Sequence, residues 1–576
     1  MDKNAIKKYA IWARRELIER VTQRAWRYEV KEDAPQAGLT AIEGRVLEPV
    51  EQRQRERLVR EVQAHGFQAV MEEAAYTWFN RFAALRFMEV NGYLPSHVRI
   101  FSDEQGAFQP EILHACLTMD EPWLDQARIF AMQENNETAA LYKYLLIAQC
   151  NALGEVLPAM FEPLADWTEL LLPDNLLRGE SVLAHLVADI PEEDWRDAVQ
   201  IIGWLYQYYN TEPKDAVFAS KEKVRKEDIP AATQLFTPDW IVRYMVENSL
   251  GRYWLERHPE CSAEAFGWRY YLPEAEQEPA VARELAAIRE ASQGVRPEDI
   301  RLIDPCMGSG HILVYAFTVL AQIYTQAGYS RRQIAQLILE HNLYGLDIDE
   351  RAYQLAYFAV MMQARQIDSR IFTRGVHPHL VAITESNGIE PLELAEEPTF
   401  DTLVVEEVND LLAQFRDAKE YGSLLTPEAP SPDLLARWEK FKNEADLNLL
   451  LASWIASVDE ILPQLVQQAE ILARKYEIVA TNPPYMGKGM DNILSAYLKK
   501  NYTDSRMDLF AVFIERCHQF ISDTGYQSMI TQHAWMFLSS YEKLRDKRLN
   551  HFSCGMASSQ WRLMSMSFKK KYSSSG

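Results

Sequence analysis

From residue 1 to about residue 225, apolar side chains recur at three- and four-residue intervals, and the alternation of a half-buried strand is scarce. Ala75, Trp78, Phe79, Phe82, Leu85 and Met88, with Arg86 inside the run, give the clearest helical stripe. The run EQRQRERLVREV after residue 50 is charged on nearly every side and reads as a solvated helix. IIGWLYQYYN at 201–210 is apolar enough for a buried helix, and the polar TEPKDAVFASKEKVRKEDIP after it reads as a connector. Beyond about residue 230 the pattern changes. Short strand-like runs, IRLID (300–304), LYGLD (343–347), HLVAIT (379–384), YEIVAT (476–481) and YQSMIT (526–531), alternate with helical stretches, which predicts a parallel α/β sheet. A long acidic, mostly helical stretch at about 395–470 interrupts that rhythm as an insertion. No internal repeat is visible. The expected organisation is a helical domain over 1–225, an α/β domain over 226–549 and a tail over 550–576.

A length of 576 residues excludes a single small module, and 48% hydrophobic with 25% charged residues excludes wholesale disorder. No apolar run approaches the roughly 18 residues of a membrane span, and the charged N-terminus lacks a secretory core. A cytoplasmic protein without a membrane partner is expected. The six cysteines lie far apart with no CxxC pair, so neither a zinc site nor a disulfide framework is encoded, and no metal is expected. The net charge of −23 argues at first against nucleic acid, because DNA binding needs cations to replace phosphate counterions. That charge is uneven: both ends, 1–30 and 485–576, are mildly basic, and the stretch from 31 to 484 is strongly acidic.

Three sites carry chemistry. Asp304-Pro305-Cys306-Met307-Gly308-Ser309-Gly310 follows a strand and precedes a helix, where glycines let a ligand approach the backbone. Its spacing fits neither a dinucleotide fingerprint nor a P-loop. An acid there suits an ammonium group, such as that of S-adenosylmethionine, better than a phosphate; a tight turn without a ligand is the plain alternative. Asp347 ends the next strand, placed to accept hydrogen bonds from two ribose hydroxyls or to cap the helix after it, and Asp349 can share those roles. Asn482-Pro483-Pro484-Tyr485 follows the strand YEIVAT. The exocyclic amine of adenine is a poor nucleophile because its lone pair is delocalised into the ring. Two acceptors, the Asn482 side-chain oxygen and the Pro483 carbonyl, would favour a pyramidal nitrogen, with proline fixing the backbone. Tyr485 would stack on a base taken out of its helix. A rigid Pro-Pro turn is the bland reading.

In these motifs the chain resembles N6-adenine DNA methyltransferases, in the group that places the cofactor's methionine-side motif ahead of the glycine motif. That upstream motif is similar to Gln234-Leu235-Phe236-Thr237-Pro238-Asp239-Trp240-Ile241-Val242. The segments MDKNAIKKYAIWARRELIERV, YTWFNRFAALRFME and IGWLYQYYN further resemble the PglX-like methyltransferases of BREX phage-resistance systems, over residues 1 to about 549. The resemblance implies a Rossmann-like S-adenosylmethionine-dependent methyltransferase sheet behind a large helical domain. It implies that Thr237, Pro238, Asp304, Gly308, Gly310, Asp347 and Asp508 bind S-adenosylmethionine, and that Asn482, Pro483, Pro484 and Tyr485 bind and activate adenine. The partners it implies are double-stranded DNA with a flipped adenine and other phage-defence proteins. Thr384-Glu385-Ser386-Asn387 falls where the family places a pocket residue, and Lys488 is a loop lysine near the motif.

The pattern breaks at the end. After Asp546 there is no acidic residue for 30 positions, and the last 26 residues contain no Val or Ile. The expectation is a truncated chain with an incomplete sheet, an unpaired strand edge and no target-recognition domain. A modification subunit of a type I or fused restriction system shares the same motifs. A protein-glutamine methyltransferase also uses Asn-Pro-Pro-Tyr but is much shorter. A catalytically inactive binding subunit is the alternative from another class.

Overall fold

The computed structural model describes the chain apart from residues 33–37, 43, 162–166, 221–222, 225–227, 234–236, 394–399, 445–448, 488, 560–562 and 571–576. At 218, 220, 291, 400–401, 449–450, 548–559 and 563–570 it gives the backbone path only. Two compact units result: Met1–Glu212 with Tyr357–Arg365 and Ser369–Gly375, and Pro213–Ala356 with Gln366–Asp368 and Val376–Gly576.

The first unit is built on α1 (Lys3–Arg27), α2 (Phe67–Val90) and α3 (Gln200–Tyr209). Asp2 starts α1 by accepting the amides of Asn4 and Ala5 at 2.9 and 3.1 Å, satisfying two donors that a helix start leaves open. Ile6, Ala10, Ala13, Leu17 and Val21 then form its buried face. α2 is buried on every side from Trp78 to Glu89, which explains why its sequence lacks a polar face. Arg86 therefore enters the core as half of an ion pair: its guanidinium donates to Glu89 at 2.5 Å, with both side chains fully buried. Glu89 also accepts the amides of Ile100 and Phe101 at 2.8 and 2.9 Å. Replacing Glu89 with alanine removes these acceptors and leaves buried donors behind. We expect a loss of about 3–5 kcal/mol, seen as a lower melting temperature and faster amide exchange across α2.

Two helical expectations need correction. The run after residue 50 forms a helix, Pro49–His65, but it is not solvated all round: Leu58, Val59 and Val62 are buried with Arg55, whose Nε donates to the Tyr28 carbonyl at 2.7 Å. The arginine's long apolar stem lets a charged-looking run face a core. The expected connector is helical in its first half, Thr211–Ser220.

The second unit holds a seven-stranded sheet of β1 (Leu302–Asp304), β2 (Leu343–Asp347), β3 (His379–Ala382), β4 (Tyr476–Thr481), β5 (Ile521–Gln532), β6 (Phe552–Ser559) and β7 (Leu563–Lys570). The strand order is β3-β2-β1-β4-β5-β7-β6. The first five strands run parallel, and β1 pairs with β2 through Asp304↔Gly345 and with β4 through Ile303↔Val479. All six residues of β4 are buried, as a central parallel strand covered on both faces requires. Around the sheet lie α4 (Asp239–Val246), α5 (His311–Gln326), α6 (Glu350–Ile367), α7 (Leu449–Ala473), α8 (Asn492–Asn501) and α9 (Leu509–Phe520). The middle turns of α6, residues 357–365, group with the first unit.

The expected incomplete sheet is corrected here. β7 pairs antiparallel with β5 from Tyr526↔Lys569 to Gln532↔Leu563, and β6 pairs with β7, so β5 is not an open edge. The physical reason is visible in LMSMSFKK, where Met564, Met566 and Phe568 alternate with serines; period-2 alternation needs no β-branched residue.

The stretch between β3 and β4 contains helices Phe400–Gln414 and Leu434–Glu444 before α7. Val404, Val408, Trp438 and Leu465 there belong to the same apolar core as Ile303 and Val479 of the sheet. The interruption seen in the sequence is thus packed into the sheet's own core.

Candidate active site

The sheet grows outward from the β1–β4 pair in both directions, so these strands mark the switch point, where open α/β sheets leave a crevice beyond the strands' carboxyl ends. Asp304 ends β1 and is 1% exposed. Its Oδ1 accepts the Cys306 amide at 3.1 Å and the Thr481 hydroxyl at 2.7 Å, which ties the ends of β1 and β4 together. Burial pushes the carboxyl up to about 7; the two hydrogen bonds pull it down, and Asp347 pushes it up further. Thr481 carries no signal in the sequence beyond its place just before Asn482.

The turn after β1 reaches α5 through Gly308 at φ +51° and Gly310 at φ +78°. The Gly308 amide donates to Asp347 Oδ2 at 2.9 Å, so the ends of β1 and β2 are also joined. Asp347 Oδ1 accepts the Asp349 amide at 2.9 Å, while Asp349 accepts the first-turn amide of Arg351 at 3.1 Å. Asp349 is therefore the helix-capping acid, and Asp347 faces the glycine turn. Burial raises the Asp347 carboxyl to about 6.

The two glycines differ. A Cβ on Gly310 would lie 2.9 Å from Cα and Cβ of Ala356 in α6, whereas one on Gly308 would meet nothing within 4 Å. Both occupy left-handed backbone, which costs an L-residue about 1–2 kcal/mol. Gly310→Ala should therefore destabilise by more than Gly308→Ala, by about 1–3 kcal/mol of overpacking, and parallel thermal unfolding of the two variants checks it.

At the end of β4, Asn482 Nδ2 donates to the buried Thr237 hydroxyl at 3.1 Å. The Tyr485 hydroxyl lies 3.0 Å from Asn482 Oδ1 and 2.9 Å from the Ile530 carbonyl oxygen of β5, and its single hydrogen serves one of them at a time. These contacts fix the orientation of the Asn482 amide, with nitrogen toward Thr237 and oxygen toward Tyr485. An amide oxygen has two acceptor sites, so a bond from Tyr485 and one from a substrate amine are compatible. Pro483 is buried and Pro484 half-buried. Tyr485 is also half-buried, 6.1 Å by ring centroids from Phe510, and burial holds its phenol well above the usual range. It is a neutral hydrogen-bonding tyrosine at working pH.

Thr237 and Pro238 lead into α4, with Thr237 buried and Pro238 exposed. Gln234, Leu235 and Phe236 lie outside the described residues, as does Lys488. Asp508 caps α9 and accepts the Met486 amide at 3.1 Å, tying that helix to the Asn482–Tyr485 loop. A Cβ on Gly487 would sit 3.0 Å from Asp508 Oδ2, so this contact is close. Among the described residues no group of three or more His, Cys, Asp or Glu could hold a metal ion, and no helix is long and apolar enough to cross a membrane.

A parallel sheet with a buried acid and a glycine turn after β1, and Asn-Pro-Pro-Tyr after β4, is the arrangement that the resemblance to methyltransferases implies. Residues 341–554 match the model of the Eco57I restriction-modification methylase family. The chain is 41% identical over 592 aligned residues to the adenine-specific methyltransferase BrxX of Escherichia coli O9:H4 (strain HS), covering 95% of this chain and 48% of that protein. It is 40% identical over 588 residues to the adenine-specific methyltransferase PglX of Lacticaseibacillus casei (strain Zhang), again 95% and 48%. Among solved structures, one of a DrdV–DNA complex is similar at a TM-score of 0.43 and 11% identity, covering 99% of this chain and 42% of that one. Over 95% of its length the chain is thus similar to about half of two adenine-specific methyltransferases, BrxX and PglX, the group its motifs and helical segments resemble. It spans about half the length of the curated relatives it matches.

Proposed function

We propose that this chain carries the cofactor-binding and catalytic machinery of a site-specific DNA methyltransferase acting on the N6 amine of adenine, in cytoplasmic host marking and phage defence alongside other proteins of a BREX system. The observation that supports it most is Asn482, oriented by Thr237 and Tyr485, one residue beyond the Thr481–Asp304 bond that joins the two strands of the switch point.

The residues present fit S-adenosylmethionine. Asp304 and Asp347 form an acidic site, and what acts on Asp304 is the Thr481 hydroxyl, the Cys306 amide and Asp347, none of them a cation. A cationic ligand suits such a site. A side chain at Gly308 would meet open space, so the backbone there can be approached closely. Asp347 is placed for ribose hydroxyls, and Asp304, almost fully buried, acts as a negative charge beneath the turn. Thr237 and Pro238, where α4 begins, would line the cofactor pocket. When bound, the cofactor supplies an electrophilic methyl group. The chain's part is to hold an extrahelical adenine: Asn482 Oδ1 and the Pro483 carbonyl accept its two N–H groups, Pro484 keeps the loop rigid, and Tyr485 lies beneath the base. Holding amine and methyl in line contributes on the order of several kcal/mol.

Calorimetry with S-adenosylmethionine, followed by tritiated methyl transfer to unmodified DNA and nucleoside analysis, tests this. Label on N6-methyladenine at one sequence motif is expected. Cofactor binding without transfer to any DNA would favour a binding subunit, and no cofactor binding would sink the reading.

A further inference from the structure

The stretch between β3 and β4 reaches the glycine turn. After β3, the Ser386 amide donates to the Phe415 carbonyl at 3.2 Å, and Asn387 and Asp417 exchange two hydrogen bonds of 3.1 and 2.8 Å. The chain then passes Gly422 at φ +55° and buries residues 422–425. The Ser423 hydroxyl donates to the Pro305 carbonyl, next to Asp304, at 2.6 Å. A Cβ on Gly422 would lie 2.8 Å from Cγ2 of Ile348, next to Asp347, so the backbone of 422 rests on that side chain. The Leu424 carbonyl accepts the hydroxyls of Tyr497 and Tyr502 of the α8 region at 3.2 and 2.8 Å. Arg516 of α9, 3% exposed, donates to the carbonyls of Ser423, Leu425 and Leu472 at 2.9, 2.6 and 3.0 Å. A guanidinium buried against carbonyls is a costly way to hold a loop, and burial pulls its pKa down.

We infer that the strap Asp417–Leu425 is a positioning element of the cofactor site, clamped from behind by Arg516 and bracing the two acid-bearing turns through Pro305 and Ile348. The sheet fixes those turns from one side and the strap from the other. Its effect falls on the adenosyl end, because Ile348 directly follows the acid assigned to the ribose. The inference rests on the cofactor reading above.

The test is calorimetry of S-adenosylmethionine and S-adenosylhomocysteine on the whole chain. Ser423→Ala leaves the Pro305 carbonyl without its donor, and Gly422→Ala drives a methyl into Ile348; each should weaken both ligands about tenfold at unchanged stoichiometry. Gly388→Ala is the control for backbone strain, since Gly388 has φ +86° with nothing within 4 Å of an added Cβ, and its affinity should match wild type. A merely structural strap would lower the melting temperature and the bound fraction but leave the dissociation constant of the folded protein as it was. That outcome, or unchanged affinity in both strap variants, overturns the inference. Should Gly422→Ala not fold, the milder Ser423→Ala decides. Failure of the wild-type chain to bind either ligand overturns the cofactor reading and this inference together, whereas wild-type binding with unaffected variants overturns the inference alone.

Discussion

Asn482→Ala is expected to cut methyl transfer by at least about a hundredfold while leaving S-adenosylmethionine affinity within about threefold of wild type. The size follows from losing one preorganised hydrogen-bonding group at the reacting atom, which typically costs on the order of 100- to 1000-fold in rate. The separation follows from geometry: Asn482 bonds Thr237 and Tyr485, whereas the Asp304–Thr481, Asp304–Cys306 and Asp347–Gly308 bonds do not include it. Asn482→Asp keeps an acceptor but loses the donor to Thr237, so its rate should fall between wild type and alanine. Single-turnover label transfer at saturating cofactor, beside calorimetric affinity, measures both quantities. Loss of affinity in parallel with rate would show that Asn482 holds the cofactor instead of the base.

Cofactor affinity should rise with pH through about 6 and 7 and level off above. Burial raises Asp347 to about 6 and Asp304 to about 7. A cation binds the ionised acids, so below these values binding must also expel protons, and affinity falls by up to about tenfold per pH unit for each acid. Stability of the ligand-free protein moves the opposite way. Both acids have folded-state values above the unfolded reference near 3.9, so the folded state holds protons that the unfolded state has lost. Their contribution is fully present below about pH 4 and is lost as pH rises through about 6 and 7. The thermal shift produced by saturating cofactor should therefore be larger at pH 8 than at pH 5.5. Asp304→Asn should flatten the upper step, raise ligand-free stability at pH 8 and weaken binding there. A pH-independent affinity in the wild-type chain would remove these acids from the cofactor site.

Much of the second unit is legible in the sequence because its signals are local. Each of the five parallel strands falls on an apolar run that the pattern marks, and the glycine turn, Asp347 and the Asn-Pro-Pro-Tyr loop each follow a strand end. The missed strands are β6 and β7: neither contains a β-branched residue, and only in β7 do Met and Phe alternate with serine. Arg86 is legible as a member of a helical stripe but not as half of a buried ion pair, since the amides of Ile100 and Phe101 that help hold Glu89 come from another segment. Asp508 looks in sequence like a ligand-flanking acid and in the structure ties α9 to the Asn482–Tyr485 loop.

The sequence by itself determined the five parallel strands, the order of the motifs and the residue types at each of those strand ends, because hydrophobic periodicity and turn chemistry act over a few residues. Only the tertiary structure decided which of those ends meet. Thr481 and Asp304, 177 residues apart, join because β4 enters the sheet beside β1, and Thr237 reaches Asn482 across 245 residues. The strap from 417 to 425 is the clearest case. Its composition gives no hint of a site, and its place against Pro305 and Ile348 follows from packing its flanking helices into the sheet's core, where burial of apolar surface, not local sequence, sets the path of the chain.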